Sequence, residues 1–339
     1  MPLVQYVIPV KPSKSKGLVA KVYSQIKEDF GRIVEPFTLH SPIPTLLAGV
    51  WMASRESELV GTVSREIKEV VAASVSRLNK CPYCVDAHTI MIRATGEKKM
   101  AKFISQEQYE KISSPRTRKI VKWALATLSP NSKPIESPPF NSEEAPEIIG
   151  TAVFYHYINP LVSIFLGSSP LPIPFMKAPV KQIASHFFVK AVNRPKNLGT
   201  SLILLPDKKL PKDLFWAKDS PNIAGAYARF AGVMDDLEKT GVPMQTRETV
   251  HKYIDDWNPK TSEFGLEWLN EATFNMEPQL KIATTIALLT VFAHYQITKE
   301  TIRNFRRFFP QQSQLLGIIA WASFTRAVKI GNWLGTTAN

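Results

Sequence analysis

Cysteine is scarce in this sequence: its 339 residues include two, Cys81 and Cys84. Two cysteines exclude the disulfide framework on which small secreted proteins depend. Both lie in one short segment, NKCPYCVDAHT (79–89), and His88 follows four residues after the second. A pair of thiols this close to a histidine is typical of a redox site or of half a metal site, and it can also be a coincidence, so the rest of the sequence must decide among the three.

Long hydrophobic runs are also missing. No window has the roughly 18 uninterrupted apolar residues that a membrane helix needs, and the nearest one, 314–335, contains Arg326 and Lys329. Residues 1–17 lack the basic head, apolar stretch and small-residue cleavage site of a signal peptide. We therefore expect a cytoplasmic protein, in which a CxxC pair is reduced at rest.

Motifs for common bound ligands are absent as well. The sequence has no glycine-rich phosphate loop, no dinucleotide fingerprint and no haem attachment motif, so we expect no organic cofactor. Its net charge of +13 comes from scattered basic clusters that match no nucleic-acid-binding motif. We interpret them as a solvated surface and expect no nucleic-acid partner. The clusters occupy residues 11–16, 97–102, 115–119, 206–212 and 303–307.

Helical periodicity dominates what is present. Apolar residues four apart, from Leu18 to Phe30, predict a helix over 17–33, and Ser64 is positioned to cap another over 64–79. Only 201–206 offers a short strand, so we predict an all-α fold. Further helices are predicted at 44–61, 101–112, 115–128, 145–166, 178–192, 220–239, 244–255, 264–272, 278–293, 298–308 and 312–333.

Proline-rich segments suggest how the chain is divided. They occupy 129–146, 167–179 and 194–213, and we interpret them as surface connections or linkers. The last of them is the best boundary between two lobes. We expect an N-terminal extension at 1–16, a lobe carrying the cysteines at 17–193, a linker at 194–213 and a C-terminal helical lobe at 214–339.

The local sequence places the thiols at the start of a helix. Pro82 is favoured at a first helical position and Gly96 is a stop signal, so Cys81 should cap the helix and Cys84 should lie in its first turn. A helix N-terminus favours the thiolate form of cysteine. Positions 81, 84 and 88 share one helix face, so His88 can serve as a base or proton relay and the thiols can form a disulfide.

A carboxylate on the preceding helix fits the same site. Glu69 lies 12 residues before Cys81, on a helix that turns back at 79–80 and runs antiparallel to the cysteine helix. From there it can hold the His88 imidazole in its working tautomer. Zinc is the other interpretation, but two thiolates and one imidazole lack the usual fourth protein ligand of a structural site. We therefore expect no metal.

These residues lead to a known family. The segment REIKEVVAASVSRLNKCPYCVDAHTIMIRATG (65–96) resembles the core motif of the alkylhydroperoxidase D (AhpD)-like proteins, which belong to the carboxymuconolactone decarboxylase superfamily. Residues 147–167 look like the helix that follows the motif in longer members. Residues 277–305 look like a degenerate second copy of the helical module without cysteines. The resemblance implies an antiparallel all-α fold, two-lobed here, that is usually homo-oligomeric.

The resemblance also implies a thiol-dependent hydroperoxidase. By that resemblance, Cys84 would attack the peroxide oxygen and Cys81 would convert the resulting sulfenic acid into a disulfide. His88 and Glu69 would form the proton relay. The partners would be a hydroperoxide substrate and a reductant, either a dithiol protein or a small thiol.

One position departs from the family pattern, because Tyr83 stands where the best-studied peroxidases have a second histidine. Tyr83, His156 and Trp51 are further candidates for lining the pocket. Two other functions remain open at this point. One is a redox-sensing or interaction protein without turnover, and the other is a decarboxylase or isomerase that uses Glu69 and His88 without the thiols.

Overall fold

A computed structural model describes residues 4–167, 188–189, 194–257 and 267–337 of the chain. Within these ranges every regular element is a helix, and an isolated antiparallel bridge joins Val4 to Leu166. The prediction of an all-α fold is therefore confirmed. The predicted helix at 178–192 and the proline-rich segment at 167–179 fall almost entirely outside the described residues.

Fifteen α-helices are assigned in the described residues, and we number them in chain order. The first nine, α1 to α9, are Gly17–Phe30, Glu35–Thr38, Pro44–Ser54, Arg65–Leu78, Pro82–Ala94, Lys98–Ser105, Pro115–Leu125, Lys133–Glu136 and Ala145–Phe165. The next six, α10 to α15, are Pro221–Gly241, Met244–Asp255, Glu267–Ala272, Pro278–Phe292, Lys299–Phe308 and Gln312–Thr336.

The helix pair that carries the predicted site begins and ends where its local signals place it. The Ser64 hydroxyl accepts a hydrogen bond from the Ile67 N–H at 3.4 Å and caps α4. Pro82 occupies the first position of α5, which ends at Ala94 just before Gly96. The connection between the two helices passes through Lys80, whose φ of 54° lies in the left-handed region. This tight turn lets α5 fold back on α4.

Three predicted elements differ from the structure. The helix predicted over 101–112 is α6, which ends at Ser105, followed by a separate 3₁₀ turn at Tyr109–Lys111. Residues 201–206 form no strand, because Leu202–Leu204 is a 3₁₀ turn. The helix predicted over 44–61 stops at Ser54 and continues as a single π turn, Arg55–Leu59, that is buried throughout. Three charged side chains in that π turn interrupt the apolar face of the helix and point into the protein. A π turn of this kind is often found at functional sites.

One hydrophobic core joins the helices on both sides of the predicted linker. Helix α9 lies at its centre and packs along α15, and Gly331 allows the close approach, since a Cβ there would lie 2.9 Å from Val153. By length and composition α9 could cross a membrane, but 94% of its apolar window is buried inside the fold. The division into two lobes stays a prediction.

Candidate functional site

The two thiols lie at the start of α5, as the sequence predicts. Cys81 is the residue before the helix and Cys84 lies in its first turn. The Cys81 N–H donates to the Ser76 carbonyl at 2.9 Å, which ties the turn to the end of α4. Both side chains are free thiols, with exposed fractions of 1% and 4%. The two thiols are therefore enclosed, and no disulfide joins them.

The position of Cys84 raises the pKa of its thiol, opposite to what a helix N-terminus alone favours. Burial is the main cause, and the adjacent Cys81 adds to it. Hydrogen bonds from Asn159 and Ser76 act in the other direction and favour the thiolate. The expected activation by the helix N-terminus is thus outweighed by desolvation, so Cys84 needs a base or a change in its surroundings to ionise.

Glu69 and His88 meet across the α4–α5 pair. Their Oε2 and Nδ1 atoms are 2.6 Å apart, and Glu69 is fully buried. Burial opposes ionisation of Glu69, but the charges of Arg65 and His88 and their hydrogen bonds outweigh it, so the pKa of Glu69 is lowered. An ionised Glu69 can only accept a hydrogen bond, which places a proton on Nδ1 and leaves Nε2 of His88 as the exchangeable nitrogen.

Arg65 anchors the carboxylate end of this pair. Its Nη2 atom lies 2.6 Å from Glu69 Oε1 and 3.4 Å from Glu58 Oε1, so one guanidinium bridges both acids. The aromatic ring of Tyr155 packs edge-on against His88 with 4.6 Å between centroids, and its hydroxyl donates to Glu58 at 2.9 Å. The imidazole is therefore held on one side by an acid and on another by an aromatic ring.

Glu58 is a site residue that sequence reasoning missed. It lies in the buried π turn, 4.0 Å from Nδ1 of His88. Burial raises its pKa, and the charge of Glu69 adds to the effect, although Arg65, His88 and the Tyr155 hydroxyl oppose it. Two neighbouring carboxyl groups thus have pKa values displaced in opposite directions, the arrangement in which one holds a proton while the other accepts one. The charged run RESEL inside an apolar helix was the available signal.

The same donors raise the question of a metal ion. Glu58, Glu69 and His88 each offer a ligand atom, and these atoms lie within 4.8 Å of one another. Arg65 already places its guanidinium against both carboxylates and supplies the positive charge that they require. The donor set is better matched to this arginine than to an added cation, because a metal ion there would face a buried positive charge.

The three other predicted pocket residues are all buried, but they make different contacts. Tyr83 is buried next to the thiols, and burial raises its pKa, with Glu35 adding to the effect. His156 lies behind the thiols and contacts Asn79 and Thr127. Trp51 packs on Phe37 in an aromatic cluster and donates its indole N–H to Gln25. The structure brings Tyr83 to the thiol pair and directs the contacts of His156 and Trp51 elsewhere.

The relay and the thiols make separate hydrogen bonds in this conformation. His88 is bonded to Glu69, whereas Cys84 is bonded to Cys81, Asn159 and Ser76. The side chain of His88 is 14% exposed, so solvent reaches part of the imidazole. Proton exchange between His88 and a reacting thiol can therefore pass through a solvent molecule.

Comparisons with known proteins identify the family of the chain. The sequence profile of the carboxymuconolactone decarboxylase family matches residues 46–100, which span the π turn, the glutamate helix and the CxxC motif. Over 339 residues the chain is 35% identical to the alkyl hydroperoxide reductase Rv2159c of Mycobacterium tuberculosis (strain ATCC 25618 / H37Rv), covering 100% of this chain and 97% of that protein. No solved structure matches the chain significantly.

Proposed function

Because the chain belongs to the AhpD-like proteins of the carboxymuconolactone decarboxylase superfamily, we propose that it is a thiol-dependent peroxidase that reduces alkyl hydroperoxides. The observation that carries the proposal is the placement of an enclosed dithiol, Cys81 and Cys84, one turn from a histidine hydrogen-bonded to a buried carboxylate. The name of the similar Mycobacterium tuberculosis protein supports the same substrate class.

The first step oxidises Cys84. His88 accepts the Cys84 proton through a bridging solvent molecule, and the thiolate attacks the terminal oxygen of the hydroperoxide, forming an S–O bond as the O–O bond breaks. The alkoxide that leaves takes the proton back from His88 and departs as an alcohol. The products are a sulfenic acid on Cys84 and one molecule of alcohol, so sulfur is oxidised by two electrons and the peroxide is reduced by two.

The carboxylates set the direction of this proton transfer. Ionised Glu69 accepts the Nδ1 proton of His88 in a hydrogen bond and stabilises the imidazolium that forms during the step. Glu58, with its raised pKa, can hold a proton close to the same imidazole. Arg65 keeps both acids in place. Glu69 therefore supports His88 as the base, and Glu58 can supply a proton to the same imidazole.

The second step closes the cycle. The Cys81 thiol attacks the Cys84 sulfur, a disulfide forms across the first turn of α5, and the sulfenic oxygen leaves as water. An external dithiol protein or small thiol then reduces the disulfide by exchange and becomes oxidised itself. We expect this reaction in the reducing environment of the cytoplasm and in a homo-oligomer.

Turnover tests this function against a redox sensor. Cumene hydroperoxide with dithiothreitol as reductant should be consumed for many equivalents per chain, and mass spectrometry without reductant should find the Cys81–Cys84 disulfide. Oxidation of a single equivalent followed by arrest would instead identify a sensor. A decarboxylase or isomerase activity that survives replacement of both cysteines by serine would refute the peroxidase.

A further inference from the structure

A buried arginine lies behind the thiols, and no carboxylate among the described residues pairs with it. Arg326 of α15 is 4% exposed, and it forms no ion pair with any residue that the structure describes. Its guanidinium lies 5.8 Å from the centre of the Trp257 ring, and its Nη2 donates to Asn79 Oδ1 at 2.9 Å. Burying a charge is costly unless other groups compensate it, so the hydrogen bonds that Arg326 makes are of interest.

The arginine fixes the direction of a chain of hydrogen bonds. Because a guanidinium can only donate, the amide oxygen of Asn79 must face Arg326 and its NH₂ must face the other way. That NH₂ lies 3.0 Å from Asn159 Oδ1, so Asn159 in turn directs its own NH₂ away from Asn79. Arg326 thus fixes the orientation of the Asn79 amide, and Asn79 in turn fixes the orientation of the Asn159 amide.

The chain ends at the Cys84 sulfur. The Asn159 NH₂ donates to the Ser76 hydroxyl oxygen at 3.1 Å, which leaves the serine proton available to another acceptor. Asn159 and Ser76 both hydrogen-bond Cys84. All of these residues are buried, and every donor along the path points from Arg326 toward the sulfur. Aligned donors of this kind favour negative charge at the acceptor end.

A side branch agrees with the same orientation. The Asn79 NH₂ also lies 3.1 Å from Nδ1 of His156, which must therefore be an acceptor. Nε2 of His156 then carries the proton and lies 2.9 Å from the Thr127 hydroxyl, which donates onward to the Ala124 carbonyl. Burial, with Arg326 nearby, lowers the pKa of His156, so the ring is neutral. His156 thus accepts from the chain and adds no second charge.

We propose that Arg326, Asn79, Asn159 and Ser76 form a polarised donor chain that stabilises the Cys84 thiolate, with Arg326 acting as its remote counter-charge. They are positioning residues, and their role rests on the proposed function, in which Cys84 must ionise to react. Cys81 and Tyr83 also act on Cys84, and neither carries a positive charge. The donor chain therefore brings positive potential from Arg326 toward the sulfur.

The test compares the acidity of the two thiols within one chain. Iodoacetamide labelling at neutral pH, followed by peptide mapping, gives the ratio of Cys84 to Cys81 alkylation. Cys81 is the internal reference for how easily the reagent reaches the site. Ser76→Ala and Arg326→Gln should each lower this ratio about tenfold or more, the usual effect of losing one hydrogen bond to a charged group. Ser74→Ala is the matched control, because Ser74 is buried on the same helix without a hydrogen-bond partner among the described residues.

A double-mutant cycle tests whether the arginine acts through the amides. In an Asn159→Leu background, Arg326→Gln should leave the labelling ratio unchanged, since the path from Asn79 to the sulfur is already broken. An unchanged labelling ratio in both Ser76→Ala and Arg326→Gln would overturn the proposed donor chain. If Arg326→Gln does not fold, an unchanged ratio in Ser76→Ala is sufficient to overturn it. The readout uses no peroxide, so a wild type without peroxidase turnover would refute the proposed function while leaving this measurement intact.

Discussion

The Nδ1 atom of His88 lies 2.6 Å from Oε2 of Glu69, and the two residues are 19 positions apart in sequence. The contact spans two antiparallel helices, and the turn at Lys80 creates it by folding α5 back along α4. The carboxylate is ionised and fully buried, so it orients the ring and stabilises a positive charge on it. This relationship makes the relay testable apart from the thiols.

Replacing Glu69 by glutamine should slow the chemistry and weaken the fold. The change keeps the shape of the side chain and removes its charge, so general-base assistance of roughly 10²- to 10⁴-fold should be partly or wholly lost. Removing one partner of the buried Arg65–Glu69 pair should also lower the free energy of unfolding by about 3 kcal/mol. Stopped-flow tryptophan fluorescence after peroxide addition measures the rate, and denaturant unfolding measures the stability.

Glu66→Gln is the matched control, because Glu66 lies on the same helix and is only partly buried. It should leave the rate of disulfide formation unchanged. If Glu69→Gln oxidises as fast as wild type, then Glu69 has no part in proton transfer.

The two cysteines should have different roles. Cys81→Ser should let Cys84 form a sulfenic acid that cannot close into an intramolecular disulfide, so one oxidation replaces turnover. Cys84→Ser should prevent even that first oxidation. Mass spectrometry after one equivalent of hydroperoxide, with a sulfenic-acid trap, distinguishes them. If Cys84→Ser reacts with peroxide at the wild-type rate, then Cys81 is the attacking cysteine and Cys84 the resolving one.

Burial should make the resting thiols slow to alkylate. The helix N-terminus predicted a reactive Cys84, but the structure encloses both sulfurs and raises the pKa of Cys84. We therefore expect the iodoacetamide labelling of Cys84 in the native protein to have a midpoint above the free-cysteine value of about 8.5. A pH series of labelling, with the unfolded chain as reference, measures this midpoint. Rapid labelling at neutral pH would contradict it.

The sequence predicted those parts of the site that depend on local signals. Ser64, Pro82 and Gly96 mark the ends of the two site helices, and the periodicity of α4 and α5 places Glu69 and His88 on facing sides. These features depend on residues within one or two helical turns, where spacing determines direction. The assignment of chemical roles to them remains a proposal.

Groups that depend on distant packing could not be predicted. Glu58 reaches the site because Tyr155, 97 positions away, binds it and because a π turn redirects its side chain. Arg326 reaches Asn79 across 247 positions. The raised pKa of Cys84 arises from the helices that cover it, since the desolvation it suffers belongs to the assembled core and has no signature in the CxxC motif.

Buried histidines should make the fold sensitive to acid. Burial lowers the pKa of His40 and of His294 to about 3, with Arg326 adding to the effect at His294, against about 6.5 in the unfolded chain. Below about pH 6.5 the unfolded state therefore binds protons that the folded state does not, so stability falls as the pH falls toward 3. Between pH 7 and pH 5 each histidine should reduce the free energy of unfolding by roughly 2 kcal/mol.

Denaturant unfolding at the two pH values checks this expectation. His294→Gln should shrink the difference between pH 7 and pH 5 by roughly 2 kcal/mol, because it removes one of the groups that must protonate on unfolding. Ser74→Ala is the control, since Ser74 is buried and has no titratable side chain, so the difference should stay as it is. An identical pH dependence in wild type and His294→Gln would refute the assignment to that ring.

Arg65 should control whether two neighbouring carboxylates can be ionised together. Arg65→Met removes the cation that bridges Glu58 and Glu69, so both buried acids should have raised pKa values and resist ionisation. The variant should then lose more unfolding free energy relative to wild type at pH 7 than at pH 5. At the higher pH the acids are ionised in the unfolded chain, whereas burial without Arg65 opposes their ionisation in the folded protein. The acid limb of the pH–rate profile for peroxide-driven oxidation should also move to higher pH, because Glu69 accepts a proton more readily.

The control for this change is Arg116→Met, which removes an arginine that is 52% exposed and paired with Glu144. Exposed pairs contribute up to about 1 kcal/mol, so this variant should be nearly as stable as wild type at both pH values. Its pH–rate profile should be unchanged, because Glu144 is not among the groups that contact His88. If Arg65→Met loses the same stability at pH 5 as at pH 7 and keeps the wild-type acid limb, Arg65 supports the fold without tuning the relay.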